Sequence, residues 1–392
     1  MRIDFLNLAK DEDWGGGEKW TLTAARGLAE RGHRVRVIGR EGSRLVQRAR
    51  GGGSSAVGVS AGMDYAPGTI LKLAALFQRD RPDVLVVHHN KDVRTGGAAA
   101  KMLGVPVVHR NGFPILRDNF RHRLSFRLTD RILTNSERIR ARYRSFGWIG
   151  ADRIDVVPNG IEVPVATEKE RNIWDRWNFD PGALVAVYAG RLTEVKRVGD
   201  LLEVWESLDA DSRWRLVIIG TGPLEPVLRE RVRSRGLGDR VRLTGFQEQS
   251  QILIGIADLV VLPSSEEGMP NVLMEAMARG VPVAATPVGD VPFLLGDGSA
   301  GWLVPVGDEG AWRKLLEHLE GAPSELKRMG TAGRARIETD FTLSRMMDGI
   351  ESSLARAVAK KKSTSPRRRD RKDPKPKDSL STASIPTSEV ED

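Results

Sequence analysis

Short apolar runs alternate with helix-length amphipathic segments along this chain, and the alternation starts afresh near Ala183. In the first half the pattern predicts strands over 2–8, 34–38, 83–88, 105–109 and 132–135, with helices over 20–31, 70–79, 95–103 and 137–146. In the second half it predicts strands over 184–188, 214–220, 241–244, 259–262 and 281–284, with helices over 198–208 and 223–235. Strands this short, interleaved with helices, build parallel sheets covered on both faces. Val157-Pro158-Asn159-Gly160-Ile161 is a turn signal between the two rounds. The expected fold class is therefore α/β, with a doubly wound domain over 1–163 and a second over 180–342. A helix over 343–359 and a charged tail over 360–392 follow. Two such domains facing each other leave a cleft lined by the carboxyl ends of their strands, where sheets of this kind bind ligands.

At 392 residues, 40% hydrophobic and 29% charged, the chain can fill two cores as a soluble protein. No run approaches the roughly 18 apolar residues of a membrane span. The start reads as a first strand and not as a signal peptide. The absence of cysteine excludes disulfides and thiolate chemistry. A cytoplasmic protein is the simplest reading. Of the net charge of +9, ten Lys/Arg against six Asp/Glu place +4 in the last 33 residues. That stretch is rich in Ser, Pro and Lys and is expected to be disordered. Its Lys360-Lys361-Lys362 and Arg367-Arg368-Arg369 clusters suit anionic lipid or nucleic acid, and a solvated tail without a fixed partner accounts for them equally. The preceding helix carries Met346, Met347, Ile350, Leu354 and Val358 at amphipathic spacing, which assigns it to packing.

The chemistry concentrates in Glu266-Glu267-Gly268-Met269-Pro270-Asn271 and the residues up to Pro282. A loop leaves the apolar run 259–262, Pro270 suits the first helical position, and Gly280 with Pro282 stops the helix. The free amides of Asn271 and Val272 then face the loop with the positive end of the helix dipole behind them, a ready phosphate site. Glu275 shares a helix face with Asn271, and Glu267 lies just before it. Two carboxylates able to bind hydroxyls thus flank a phosphate-binding helix end, as a nucleotide-sugar requires. Two glutamates that merely favour the dipole would be the bland alternative.

Three further loops end strands. Asp13-Trp14-Gly15-Gly16-Gly17-Glu18 follows the first, and its glycines permit close backbone approach to a phosphate or sugar. It lacks the G-x-G-x-x-G spacing of a dinucleotide site, which disfavours NAD. Gly190-Arg191 to Lys196 follows the strand at 184–188, and Arg191 and Lys196 are suited to neutralise a diphosphate. His109 ends a strand toward the cleft and is either a contact to a hexose or a buried structural histidine. His88 and His89 also end a strand, without a third ligand at metal spacing, so no metal is assigned.

In this order the pieces resemble the retaining glycosyltransferases of family 4, which have the two-Rossmann GT-B fold. The resemblance covers roughly 1–358. It is strongest over 187–304, through Gly190-Arg191 with Lys196, Ile219-Gly220-Thr221-Gly222-Pro223, Leu243-Thr244-Gly245-Phe246, Pro263-Ser264 and Glu267-Gly268 to Glu275. It implies that Arg191, Lys196 and the amides of Asn271 and Val272 hold the donor diphosphate. Glu275 would bind the ribose, Glu267 the donor sugar, and Gly245-Phe246 the base. Gly16 and Gly17 would close on the donor from the first domain, with His109 at the sugar. It further implies retention at the anomeric carbon, no divalent metal and no cofactor beyond the nucleotide-diphosphate sugar consumed as substrate. Arg110, in His109-Arg110-Asn111-Gly112-Phe113-Pro114, is an unusual neighbour for the pattern.

The acceptor half carries Arg117, Arg121, Arg123, Arg127, Arg131, Arg138, Arg140, Arg142 and Arg144 among Phe120, Phe126 and Phe146. Members that glycosylate lipids use basic, aromatic surfaces on anionic membranes, so a glycan or glycolipid acceptor and a peripheral membrane contact are expected. Ordinary solvated helix faces explain the same residues. Other readings are a sugar synthase or phosphorylase of the same fold, and a non-catalytic scaffold. A nucleic-acid binder would need stacking platforms or a recognition helix, and none occurs outside the tail.

Overall fold

The computed structural model describes residues 1–10, 15–62, 66–112, 118–164, 174, 177 and 179–364. Asp13, Trp14, Phe113, Pro114, Arg117 and the tail from residue 365 lie outside these residues.

The first half runs β1 (Arg2–Asn7), α1 (Gly16–Glu30), β2 (Arg34–Arg40), α2 (Arg44–Gly51), β3 (Ser55–Val59), α3 (Pro67–Arg79) and β4 (Val84–Val87). It continues through α4 (Asn90–Asp92), a wide helical turn Val93–Gly97, α5 (Ala98–Met102), β5 (Val107–Asn111), α6 (Phe120–Phe126), β6 (Arg131–Thr134), α7 (Glu137–Arg144) and β7 (Ile154–Val156). The second half runs β8 (Leu184–Ala189), α8 (Val198–Ser207), β9 (Trp214–Ile219), α9 (Glu225–Ser234), β10 (Val241–Gly245), α10 (Ser250–Ile256), β11 (Leu259–Leu262) and α11 (Asn271–Ala278). It closes with β12 (Val283–Ala285), α12 (Val291–Leu294), β13 (Trp302–Leu303), α13 (Glu309–Glu320), α14 (Pro323–Asp340) and α15 (Leu343–Thr364).

Two sheets form, ordered β3-β2-β1-β4-β5-β6-β7 and β10-β9-β8-β11-β12-β13, and the described pairings are parallel. Both are doubly wound, reversing direction between β1 and β4 and again between β8 and β11. β4 reads Val-Leu-Val-Val and β11 Leu-Val-Val-Leu, buried at every position as central parallel strands require. The buried polar residue Asp4 within β1 is matched by Arg36 on β2, at 2.5 and 3.0 Å.

Several expected boundaries move, for local reasons. α1 starts at Gly16 rather than 20, because the Glu18 carboxylate accepts the Gly15 amide at 2.9 Å and caps the helix one turn early. The glycine loop therefore supplies the first turn of α1. Pro270 is the residue before α11 and not its first, since its ψ of 115° keeps it extended. Asn271 opens the helix, and Gly280, at φ 69°, ends it in a conformation that favours glycine. The helix expected over 95–103 is broken by the wide turn, where Gly96 packs under Leu6.

The chain crosses between the halves twice, side by side. Ile161 donates to the Phe341 carbonyl at 2.9 Å and accepts from Leu343 at 3.2 Å. α15 thereby returns to the first sheet, where Met346, Met347, Ile350 and Leu354 join Ile3, Phe5, Trp20 and Leu28 in one core. Its amphipathic stripe is a packing face, and the helix extends to Thr364.

Candidate active site

Loops from the carboxyl ends of β1 and β5 meet the loop and helix start that follow β11 across the cleft. After β8, the chain turns at Glu194–Lys196, and Arg197 adopts a left-handed φ of 49° before α8. This aims Lys196 at the β11 loop, where Nζ meets Glu267 Oε1 at 2.6 Å. The Ser264 hydroxyl donates to the same oxygen at 2.7 Å. Backbone stitches the two loops, as Ser265 N donates to the Val195 carbonyl at 2.8 Å. Glu267 raises the pKa of Tyr188 beneath it, though burial is the larger cause. Arg191 stands exposed with no ion pair among the described residues, and its carbonyl accepts the Tyr188 hydroxyl at 3.1 Å. Glu275 is half-buried on α11, and its carboxylate has no partner among the described residues.

Gly245 (φ 70°) turns the chain at the end of β10 and its carbonyl accepts from Gly220 N at 2.8 Å. Phe246 then projects with 59% exposure, available for a planar base.

The two halves approach at glycines. A Cβ on Gly16 would lie 3.8 Å from Asn271 Nδ2, so the start of α1 faces the start of α11. A Cβ on Gly268 would lie 2.7 Å from the Gly112 carbonyl, and one on Gly17 would lie 2.5 Å from His88 Nε2. At Gly268, where the neighbour is backbone, only glycine permits the approach, whereas the Gly16 spacing is ordinary van der Waals contact. Glu18, which also accepts from Asn7 Nδ2 at 3.0 Å, locks the glycine loop to β1. Burial pushes its pKa up, but hydrogen bonds from His89, Asn7 and Gly15 outweigh this and hold it low.

The structure thus sets Gly16 opposite Asn271 and pairs Lys196 with Glu267, with Arg191 on the loop of Lys196, Val272 and Glu275 on α11, and Gly245 and Phe246 on the separate loop after β10. His109 is different. It is 2% exposed and packs edge-on against Phe126 at 5.2 Å, and its Nδ1 has no hydrogen-bond partner among the described residues. Burial, with a smaller push from His122, lowers its pKa to about 3, so the ring is neutral. Side chains alternate along a strand, so the next residue, Arg110, takes the opposite face of β5 toward His88, Trp20 and Asn159.

Other residues enter the site that motif reading does not single out. Asn159, visible in the sequence only as part of a linker turn, donates to Asn271 Oδ1 at 3.0 Å. Ser136 caps α7 and also donates to Asp290 Oδ1 of the other half at 2.7 Å, a contact with no sequence signal. Asp290 N in turn binds the Gly268 carbonyl. Burial raises the Asp290 pKa to about 6. The basic surface expected over 117–144 is partly structural. Arg131 is buried against Asp155 at 2.7 Å and Phe126 is core, while Phe120 (77% exposed), Leu124, Arg121, Arg138 and Arg142 face outward. Among the described residues no helix is long and apolar enough to cross a membrane.

Two facing doubly wound sheets with this cleft define a GT-B transferase fold. Comparison with known proteins gives the family. The "Glycosyltransferase Family 4" model matches residues 14–163 and "Glycosyl transferases group 1" matches residues 169–336. The chain belongs to the group 1 glycosyltransferases of family 4, and it is a glycosyltransferase. It is 26% identical over 361 residues to the lipopolysaccharide core biosynthesis glycosyltransferase LpsE of Rhizobium meliloti, covering 91% of this chain and 99% of that one. It is 26% identical over 316 residues to the alpha-D-kanosaminyltransferase of Streptomyces kanamyceticus, covering 73% and 81%. Anabaena HepE in complex with UDP-glucose shares the fold at a TM-score of 0.79 and 17% identity, covering 91% of this chain and 100% of that chain.

Proposed function

We propose that the protein transfers a hexose, with retention, from a nucleotide-diphosphate sugar to a glycan or lipid-linked acceptor in cell-surface polysaccharide or lipopolysaccharide synthesis. The observation that carries this is the meeting of Gly16 with Asn271 across the cleft, beside the Lys196–Glu267 pair. A phosphate between the α1 and α11 starts would receive backbone amides and two helix dipoles. Arg191 and Lys196 supply the mobile positive charge that grows in value as the diphosphate departs. Glu267 exchanges Lys196 for sugar hydroxyls when the ammonium turns to phosphate. Glu275, with no other partner, takes the ribose hydroxyls. A leaving-group oxygen accepts the acceptor's proton on the same face, so no protein nucleophile is required, and closure of the halves excludes water. His109 is left out of this scheme as a packing residue.

The complexes of HepE with UDP and UDP-glucose support a nucleotide-sugar donor. The LpsE relationship supports a lipid-linked acceptor. We read the exposed Phe120 and Leu124, ringed by arginines, as the contact with an anionic inner membrane face of a cytoplasmic enzyme. The 29% identity over 170 residues to the N-acetyl-alpha-D-glucosaminyl L-malate synthase of Bacillus anthracis favours the alternative of a small-molecule acceptor.

A calorimetric panel of UDP, GDP, ADP and their common sugar conjugates, with EDTA present, tests the reading. Saturable binding of one nucleotide is expected, weakened at least about tenfold in Glu275→Ala and in Arg191→Ala, as loss of a charged hydrogen-bonding group implies. Absence of binding by every member would remove the transferase scheme, and binding only without EDTA would remove metal independence.

A further inference from the structure

Arg110 is 5% exposed, yet no carboxylate lies within ion-pair distance of it among the described residues. Its guanidinium stacks on the Trp20 ring at 4.7 Å, sits 3.3 Å from His88 Nε2 and donates to Asn159 Oδ1 at 3.4 Å. Glu18 is its longer-range counter-charge, but both Glu18 oxygens are already engaged by Asn7 and Gly15. His88 adds no negative charge, since burial, reinforced by Arg110, holds it neutral. A buried cation with only neutral partners is costly, and burial accordingly pulls the Arg110 pKa down to about 10.

The position of this cation is informative. A Cβ on Gly112 would lie 2.5 Å from Arg110 Nη1, and the Gly112 carbonyl is the group that meets Gly268 of the other half. His88, on its other side, underlies Gly17. Asn159 accepts from Arg110 and donates to Asn271, linking the guanidinium to the first residue of α11. The unpaired charge therefore sits where the α1 start, the β5 end and the α11 start converge. Salt bridges elsewhere in the domain show that the fold pairs its buried arginines when the role is structural, as for Arg36 with Asp4 and Arg131 with Asp155.

We propose that Arg110 is a phosphate-binding residue contributed by the acceptor half, whose missing counter-charge is an oxyanion of the donor diphosphate. The proposal rests on the donor reading above and adds to it a third cation, on the opposite wall from Arg191 and Lys196. The diphosphate would then be the group that neutralises and joins the two halves, making closure dependent on the phosphates and not on the base.

The test uses the full-length protein and the nucleoside diphosphate selected by the binding panel. Calorimetry with this ligand, the matching nucleoside and inorganic pyrophosphate is run on wild type, Arg110→Gln and Arg110→Lys. Arg110→Gln is expected to lose about tenfold or more in affinity for the diphosphate and for pyrophosphate, with nucleoside affinity unchanged. Arg110→Lys should bind near wild type at pH 7 and lose diphosphate affinity relative to nucleoside as pH rises to about 9, because a buried ammonium deprotonates at lower pH than a guanidinium in the same place. Unchanged diphosphate affinity in Arg110→Gln overturns the proposal. So does a pH profile of Arg110→Lys parallel to wild type, which keeps the test decisive if Arg110→Gln fails to fold. Intact donor affinity with a raised KM for acceptor alone also overturns it, by assigning the charge to an acidic acceptor group. A wild-type protein that binds no nucleotide defeats the donor reading instead.

Discussion

Glu267 and Lys196 form an ion pair at 2.6 Å, although the proposed transfer assigns them different ligands. An ammonium shared between a carboxylate and an arriving phosphate loses little on transfer, so the pair would hold both side chains oriented before a donor arrives. Glu267→Gln preserves size and the Ser264 hydrogen bond but removes the charge. It is expected to lower kcat by about 100-fold while changing nucleotide affinity less than about threefold. Equal loss in both would contradict the assignment of Glu267 to the sugar. These two residues were readable from the sequence because each lies on the loop after a strand, within a motif of fixed spacing. Arg110 was visible only as an odd neighbour, and Asn159 only as a turn residue, because their roles arise from contacts across 49 and 112 positions of sequence.

The loops and helix starts set how closely the halves meet. Gly268 faces the Gly112 carbonyl, a backbone group that cannot rotate away. Gly268→Ala should therefore hold the cleft open by a few tenths of an ångström or more. Transfer is expected to fall at least about tenfold with nucleoside affinity retained, since the proposed base and ribose contacts, Phe246 and Glu275, both lie in the second half. Wild-type turnover in this variant would show that closure does not pass through this contact. The strands that carry these loops were legible because parallel core strands leave uninterrupted apolar runs, as in β4 and β11. β3 and β7 were not, since Ser55–Val59 and Ile154–Val156 are short edge strands with weak apolar content. The start of α1 was missed because three glycines look like a loop, and only the reach of Glu18 back to Gly15 turns them helical.

Taken together, the halves are joined by the paired crossings at Ile161 and Thr342, by α15 and by contacts such as Ser136 with Asp290. The doubly wound order of both sheets followed from the alternation of elements, but the return of α15 to the first sheet did not, because an amphipathic stripe names no partner. Asp290 gives this interface a pH dependence. Its folded pKa, about 6, lies above the ordinary carboxylate value of 3.8, because of burial and, less strongly, Glu137, against the Ser136 hydrogen bond and Arg138. The protonated form is thus favoured by folding, and its stabilisation is present below pH 3.8 and lost as pH rises through about 6. Relative to Asp290→Asn, wild type should lose on the order of 2 kcal/mol across that window, less than the full shift implies because the carboxyl is partly solvated. Parallel stability curves for the two proteins would show that Asp290 is not buried against Ser136 in solution.

The most direct test of the account follows the anomeric configuration of the sugar released when the enzyme turns over its selected donor, by time-resolved proton NMR. With water or acceptor as nucleophile, the first product should carry the donor's own anomeric configuration, and release should vanish in Lys196→Ala. A first product of inverted configuration, or release that persists without Lys196, would contradict same-face departure of the diphosphate from this cleft.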